Sequence, residues 1–124
     1  MIKEQNKRRL GAKAEQAVRK YLEAHGIVVV EMNYRCRQGE VDVIAKDGEY
    51  YVFIEVKYRN TIRYGLPQEA VDKRKQQRIS KAAFYYLYSH GMDDTIPVRF
   101  DVAAIQKEQI MYVKNAFDYC GMGC

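Results

Sequence analysis

GEVDVIAKDGEYYVFIEVKY, residues 39–58, decides the fold. Val41, Val43 and Ala45 alternate with Asp42, Ile44 and Lys46 at the two-residue period of a strand. Asp47-Gly48 is a hairpin signal, and the β-branched and aromatic run Tyr50–Tyr58 returns as a second strand. Upstream, β-branched Ile27–Val30 continues toward Tyr34 and predicts a buried strand, closed by the polar stretch Arg35–Gly39. Before it, Leu10, Ala14, Ala17, Tyr21 and Leu22 recur at helical spacing, so a helix is expected from about Asn6 to His25, stopped by Gly26. Downstream, Gly65-Leu66-Pro67 punctuates the chain, and Pro67 suits the first turn of a helix running to about Ser89 through Ala70, Val71, Ile79, Ala82, Ala83 and Tyr86. Pro97–Ile105 reads as a strand, Lys107-Glu108 as a turn and Ile110–Val113 as a last strand. The order αβββαββ, a meander interrupted by helices, implies the α/β class in its broad sense, with a mixed β-sheet flanked by helices.

With 124 residues, the chain has room for one domain spanning 1–124. Hydrophobic residues at 48% and charged residues at 30%, with 2 prolines and 8 glycines, exclude a disordered or collagen-like chain. Ile27–Val30 is the longest wholly aliphatic run, far short of the roughly 20 residues of a membrane span. No apolar signal region opens the sequence, so a cytoplasmic location is expected. Cys36, Cys120 and Cys124 imply no disulfide framework, and Cys120-Gly-Met-Gly-Cys124 looks like a fraying tail more than a zinc site. His25 and His90 each precede a glycine, where a basic side chain meets the negative end of a helix.

Charge is uneven. Of 21 Lys and Arg against 16 Asp and Glu, residues 1–20 hold 7 basic and 2 acidic. Residues 57–81 hold a second basic block, opposed only by Glu69 and Asp72. Arg74, Arg78 and Lys81 stand at i, i+4 and i+7 and form one cationic stripe on the second helix. Two such blocks fit a polyanion such as DNA as well as they fit a solvated surface.

Glu55 and Lys57 are two apart on one strand and project from one face of the sheet. A two-residue loop at 47–48 sets Asp42 opposite Phe53, and a four-residue loop 47–50 sets it opposite Glu55; either keeps it on that face. Two adjacent carboxylates repel unless a cation lies between them, and hard oxygen donors suit Mg²⁺ or Mn²⁺. Such an ion supplies what phosphodiester hydrolysis needs. Lys57, beside two carboxylates, is expected to stay protonated, orienting water and neutralising phosphate charge. Glu15, at the rim of the first helix, is a further candidate acid, and its simpler reading is a solvated pair with Arg19.

These residues resemble the YraN-like family of small bacterial proteins, within the PD-(D/E)XK nuclease superfamily of restriction-endonuclease-like fold. The resemblance covers nearly the whole chain, through Gly11–Ala17, Asn33–Arg35, Gly39–Ala45, Phe53–Arg59, Lys73–Ile79, Arg99–Val102 and Asn115–Phe117. It implies that Asp42, Glu55 and Lys57 serve metal binding and water activation, with Glu15 as the matching helix acid. No proline precedes Asp42, and Tyr64-Gly65-Leu66 stands where relatives commonly show Phe, Gly and a small residue.

Three functions follow as expectations: a Mg²⁺- or Mn²⁺-dependent endonuclease on DNA, a non-catalytic nucleic-acid-binding module, and an interaction scaffold. Arg9, Arg35, Arg59, Lys73, Lys75 and Arg78 are the candidate nucleic-acid contacts. The eleven tyrosines could stack on unpaired bases or simply cover the core. A homodimer is left open.

Overall fold

The computed structural model describes residues 4–59, 71–106 and 109–120, the side chains of 4–11 and 59 excepted. Helix α1 spans Glu4–Ala24, strands β1, β2 and β3 span Val28–Cys36, Gly39–Asp47 and Tyr50–Arg59, helix α2 spans Lys73–Ser89, and β4 and β5 span Val98–Gln106 and Gln109–Phe117. One five-stranded sheet runs in the order β1-β2-β3-β4-β5. Every neighbouring pair is antiparallel except β3 with β4, which are parallel because α2 lies between them in the chain. The mixed sheet and the order αβββαββ are as expected. Among the described residues no helix is long and apolar enough to cross a membrane.

Each face of the sheet packs a helix. Ala14, Val18 and Leu22 of α1 pack on Val43, Ala45, Val52, Ile54, Ala103 and Ile105. Ile79, Ala82, Ala83, Tyr86 and Leu87 of α2 pack on Val41, Ile44, Phe53, Phe100 and Val102. Central strands buried on both faces explain why Ile44 and Phe53, polar-side positions in a one-faced strand, are fully buried. The hairpin turn is Gly48-Glu49, since Asp47 pairs with Tyr50 and Lys46 with Tyr51. Gly48 supplies the positive φ of +61° that this tight turn requires.

Some sequence expectations change. β1 lies at the sheet edge, so Val28 and Val30 are exposed while Ile27 and Val29 face α1. α2 begins at Lys73, because Asp72 is extended and its carboxylate accepts the Lys75 N–H at 2.8 Å, ending any helix arriving from before it. Residues 65–67 and Ala70, on which the earlier start rested, lie outside the described residues, as does the turn at 107–108. β5 extends to Phe117 through Asn115, whose φ of +52° bends the strand from the α1 side toward the α2 side. Asn33, at φ +55°, does the same in β1: Met32 packs on the α1 side and Tyr34 on the α2 side. Asparagine tolerates this left-handed conformation better than most residues.

His25 and His90 sit as expected at the helix ends, each with Nδ1 2.8 Å from a carbonyl four residues back, Tyr21 and Tyr86. No disulfide was expected, but Cys120 is buried and disulfide-bonded, and its N–H donates to the buried Ser80 Oγ at 2.9 Å. Residues 121–124, where fraying was expected, lie outside the described residues, Cys124 included.

A polar knot ties β4 to β5 and to the hairpin. Asp101 is fully buried; it accepts Arg99 Nε at 3.0 Å, Arg99 Nη2 at 3.0 Å, Tyr112 Oη at 2.5 Å and the Asn115 N–H at 2.9 Å. Arg99 Nη1 reaches on to Asp47 Oδ2 at 2.9 Å. Burial and then the bond to Asp101 push the Tyr112 phenol up, so it stays a donor. Asp101→Ala would strand Arg99 and Tyr112 with unmet bonds. It is expected to cost about 3 kcal/mol, read as a lowered midpoint in denaturant unfolding with the same slope.

Candidate metal and phosphodiester site

The β2–β3 ladder runs from Asp47↔Tyr50 to Val43↔Ile54, and one step further Asp42 faces Glu55. There the main-chain pairing stops and a side chain takes over: Asp42 Oδ2 accepts the Val56 N–H at 2.8 Å. Ile54 and Val56 pack with the α1-side cluster, so Glu55 and Lys57 project to the α2 side. Val41 packs on the α2 side and Val43 on the α1 side, so β2 changes face at Asp42. The carboxyl group thus sits where the sheet opens.

Asp42 and Glu55 lie close enough for Glu55 to act on the Asp42 carboxyl. Desolvation, then the hydrogen bond to Glu55 and its charge, raise Asp42 to about 8. Asp42 therefore keeps its proton at neutral pH. Glu55 is 5% exposed, and its Oε2 has no well-directed hydrogen bond, although two ammonium groups approach it. Lys75 Nζ lies 2.6 Å away and Lys57 Nζ 3.8 Å away.

Two cations so placed compete. Burial and then the charge of Lys75 lower the Lys57 pKa, against the pull of Glu55 and Asp42. Lys57 was expected to stay protonated beside two carboxylates; Lys75, in contact with the same Glu55, adds an opposing charge that the sequence did not show. Burial works to lower Lys75 too, but its contact with Glu55 and the charge of Glu55 prevail, and its pKa is raised.

Other candidates fall elsewhere. Glu15 is apart from the carboxyl pair: its Oε2 accepts Asn33 Nδ2 at 2.5 Å. Its simpler pairing with Arg19 does not form either, because Arg19 Nε pairs with Glu23 at 3.9 Å. The register sets Asn33 opposite Asp42, so Glu15 braces the strand beside the site. Arg35 pairs on the surface with Glu40 at 3.3 Å. Lys73 and Arg78 are exposed, and Arg78 lines a cleft with Glu40, Asp72, Arg74, Lys75 and Ile79. The side chains of Arg9 and Arg59 lie outside the description.

Sequence reasoning placed Lys75 among the phosphate contacts and missed its bond to Glu55. The available signal was Asp72 three residues earlier: a cap there fixes the helix start and turns Lys75 toward β3.

The model of the uncharacterised protein family UPF0102 matches residues 14–105, which include both carboxyls and both lysines. The chain belongs to the UPF0102 family. A UPF0102 protein of Lachnoclostridium phytofermentans is 43% identical over 116 residues, covering 94% of this chain and 98% of its own. One from Syntrophus aciditrophicus is 46% identical over 114 residues, covering 89% of each, and one from Geobacter sulfurreducens is 45% identical over 114 residues, covering 88% of each. This is the YraN-like family whose resemblance the sequence blocks carried.

In this UPF0102 protein the raised Asp42 pKa has a signed consequence. Between its unfolded value of 3.8 and about 8 the folded state holds a proton that the unfolded state has released. Stability from this group is therefore full at low pH and falls as pH rises toward 8. Asp42→Asn is expected to flatten that decline, so its melting temperature should gain on the parent's progressively from pH 5 to pH 8.5. Parallel melting curves across this range would refute the raised Asp42 pKa.

Proposed function

We propose that the protein is a divalent-metal-dependent endonuclease that hydrolyses phosphodiester bonds in DNA. One observation carries this reading: a buried carboxylate oxygen, Glu55 Oε2, without a directed hydrogen bond, beside a second carboxyl and two ammonium groups. A buried acid left short of donors is a costly arrangement for stability alone. The donor set fits Mg²⁺ or Mn²⁺, hard ions satisfied by one or two protein carboxylates with water and phosphate oxygens around the rest. Among the described residues no group of three or more His, Cys, Asp or Glu could hold an ion, so Asp42 and Glu55 would hold it as a pair.

When bound, such an ion would polarise a phosphate oxygen and lower the pKa of a water. The chain's own groups do the remainder. Asp42 must give up its proton for both carboxylates to act as ligands. Lys57, made less basic by burial and by Lys75, can orient a water and exchange a proton with it. Lys75, released from Glu55, has its ammonium free for charge developing on phosphate. DNA lacks a 2′-hydroxyl to serve as internal nucleophile, and a site that activates an external water suits it.

The alternative is a non-catalytic nucleic-acid-binding module of DNA replication, repair or recombination. The Lys75–Glu55 contact favours it, because an ammonium at 2.6 Å already neutralises the acid that would take the ion. Incubation with Mn²⁺ and branched, nicked or single-stranded DNA separates the two. Cleavage is expected, reduced about 10² to 10⁴-fold in Asp42→Ala and Lys57→Ala. Calorimetric Mn²⁺ uptake should vanish in Glu55→Ala and strengthen as pH rises toward 8. Salt-sensitive DNA binding without turnover or metal uptake would establish the binding module instead.

A further inference from the structure

The outer side of α2 changes character along its length. Arg74, Arg78, Lys81, Tyr85 and Tyr88 follow at alternating steps of four and three and form one nearly straight stripe of about 21 Å, at 1.5 Å per residue. All five are exposed. Tyr86, by contrast, is 3% exposed and belongs to the core, so the structure separates the tyrosines that cover the interior from those that do not. Tyr85 and Tyr88 are 48% and 60% exposed, so both rings are open to a ligand. Tyr88 is propped by Phe84, centroid to centroid 6.0 Å, and Phe84 by Tyr119 at 4.4 Å.

The cationic half is equally unspent. Among the described residues Arg74, Arg78 and Lys81 make no ion pair. The first turn of α2 has no acid, and Lys73, Arg74 and Lys75 stand there against the positive end of the helix dipole. Among the described residues, the acids lining the cleft beside this half are Asp72, which caps the helix, and Glu40, which pairs with Arg35. Arg74 and Arg78 share their cleft with Lys75, whose Nζ lies 2.6 Å from Glu55 Oε2, so the cationic end of the stripe lies beside a residue that contacts the carboxyl site.

We propose that this stripe is a binding track for single-stranded DNA, with Arg74, Arg78 and Lys81 on the phosphates and Tyr85 and Tyr88 stacked on unpaired bases. Cations give affinity for any polyanion; exposed, propped rings add affinity only where bases are unstacked, as a single strand offers and a duplex does not. The proposal deepens the endonuclease reading by naming the strand form that approaches the site, and it takes the choice of DNA from that reading.

The test is fluorescence anisotropy of a labelled fifteen-residue oligo-dT on the full chain in EDTA, where no metal-dependent cleavage proceeds, with a duplex of equal length, oligo-rU and heparin as comparisons. Oligo-dT is expected to bind more tightly than the duplex. Tyr88→Ala and Tyr85→Ala should each weaken oligo-dT binding about ten-fold, leave heparin and duplex binding unchanged, and be rescued by Tyr→Phe, which keeps the ring. Arg78→Gln should weaken all polyanions and flatten the salt dependence. Equal oligo-dT affinity in the tyrosine variants and the parent would overturn the track, as would equal binding of heparin, duplex and single strand. Tighter binding of oligo-rU than oligo-dT would overturn the choice of DNA. A parallel incubation of the parent with Mn²⁺ and the same oligonucleotides keeps the two proposals apart: binding in EDTA without cleavage in Mn²⁺ sinks the endonuclease and leaves the track standing.

Discussion

A side chain replaces a main-chain acceptor at one point of the central sheet, and the functional architecture depends on it. Past Val43↔Ile54 the Val56 N–H has no backbone partner in the β2–β3 ladder, and Asp42 Oδ2 takes it at 2.8 Å. A buried donor must be satisfied, so this bond fixes the Asp42 carboxyl against β3. Once fixed there, Asp42 faces Glu55 by register and loses water by burial, and both effects raise its pKa. Moving the acid one residue along β2 would send it to the α1 side, where Val43 belongs to a closed apolar cluster.

The sheet carries another buried acid, and the contrast separates structure from function. Asp101 has guanidinium, phenol and amide donors converging on it, and both of its carboxylate oxygens are engaged by them. Glu55 is nearly as deeply buried, yet its Oε2 receives two approaching ammonium groups and no directed bond. A fully connected network stiffens the fold, whereas an under-satisfied one carries a desolvation cost that its own contacts do not offset. Burial alone would have ranked Asp101 above Glu55.

Much of this was legible in the sequence, and what was not has a common cause. Period-two alternation and Asp47-Gly48 were enough to set Glu55 and Lys57 on one face and to narrow Asp42 to two registers, because strand periodicity is local. Sequence could not choose between those registers, since the choice is made by Gly48 alone entering the turn with positive φ. The burial assigned to Val28 and Val30 failed because edge position is a property of the whole sheet. The contact of Lys75 with Glu55 was not legible because it depends on a helix packed over a strand twenty residues earlier in the chain. The αL bends at Asn33 and Asn115 left no periodic trace, as each is a single residue.

The position of α2 is therefore the quantity that couples the site to the rest of the fold, and a glycine sets it. Gly39, at φ +156°, lies so close to α2 that a Cβ there would come 2.8 Å from the Arg78 carbonyl oxygen. That contact is with backbone, which cannot swing aside as a side chain can. On the other flank the Cys120 N–H is bonded to Ser80 of the same helix. Held between these two points, α2 cannot slide without losing one of them. Lys75 thus reaches Glu55, and Arg74 and Arg78 reach the cleft, from a rigid support. Long, flexible cations lose less entropy on engaging a phosphate when their helix is already fixed. The apolar inner face of α2 and its charged outer face are in this sense one device: packing against Ile44, Phe53 and Phe100 determines where the cations stand.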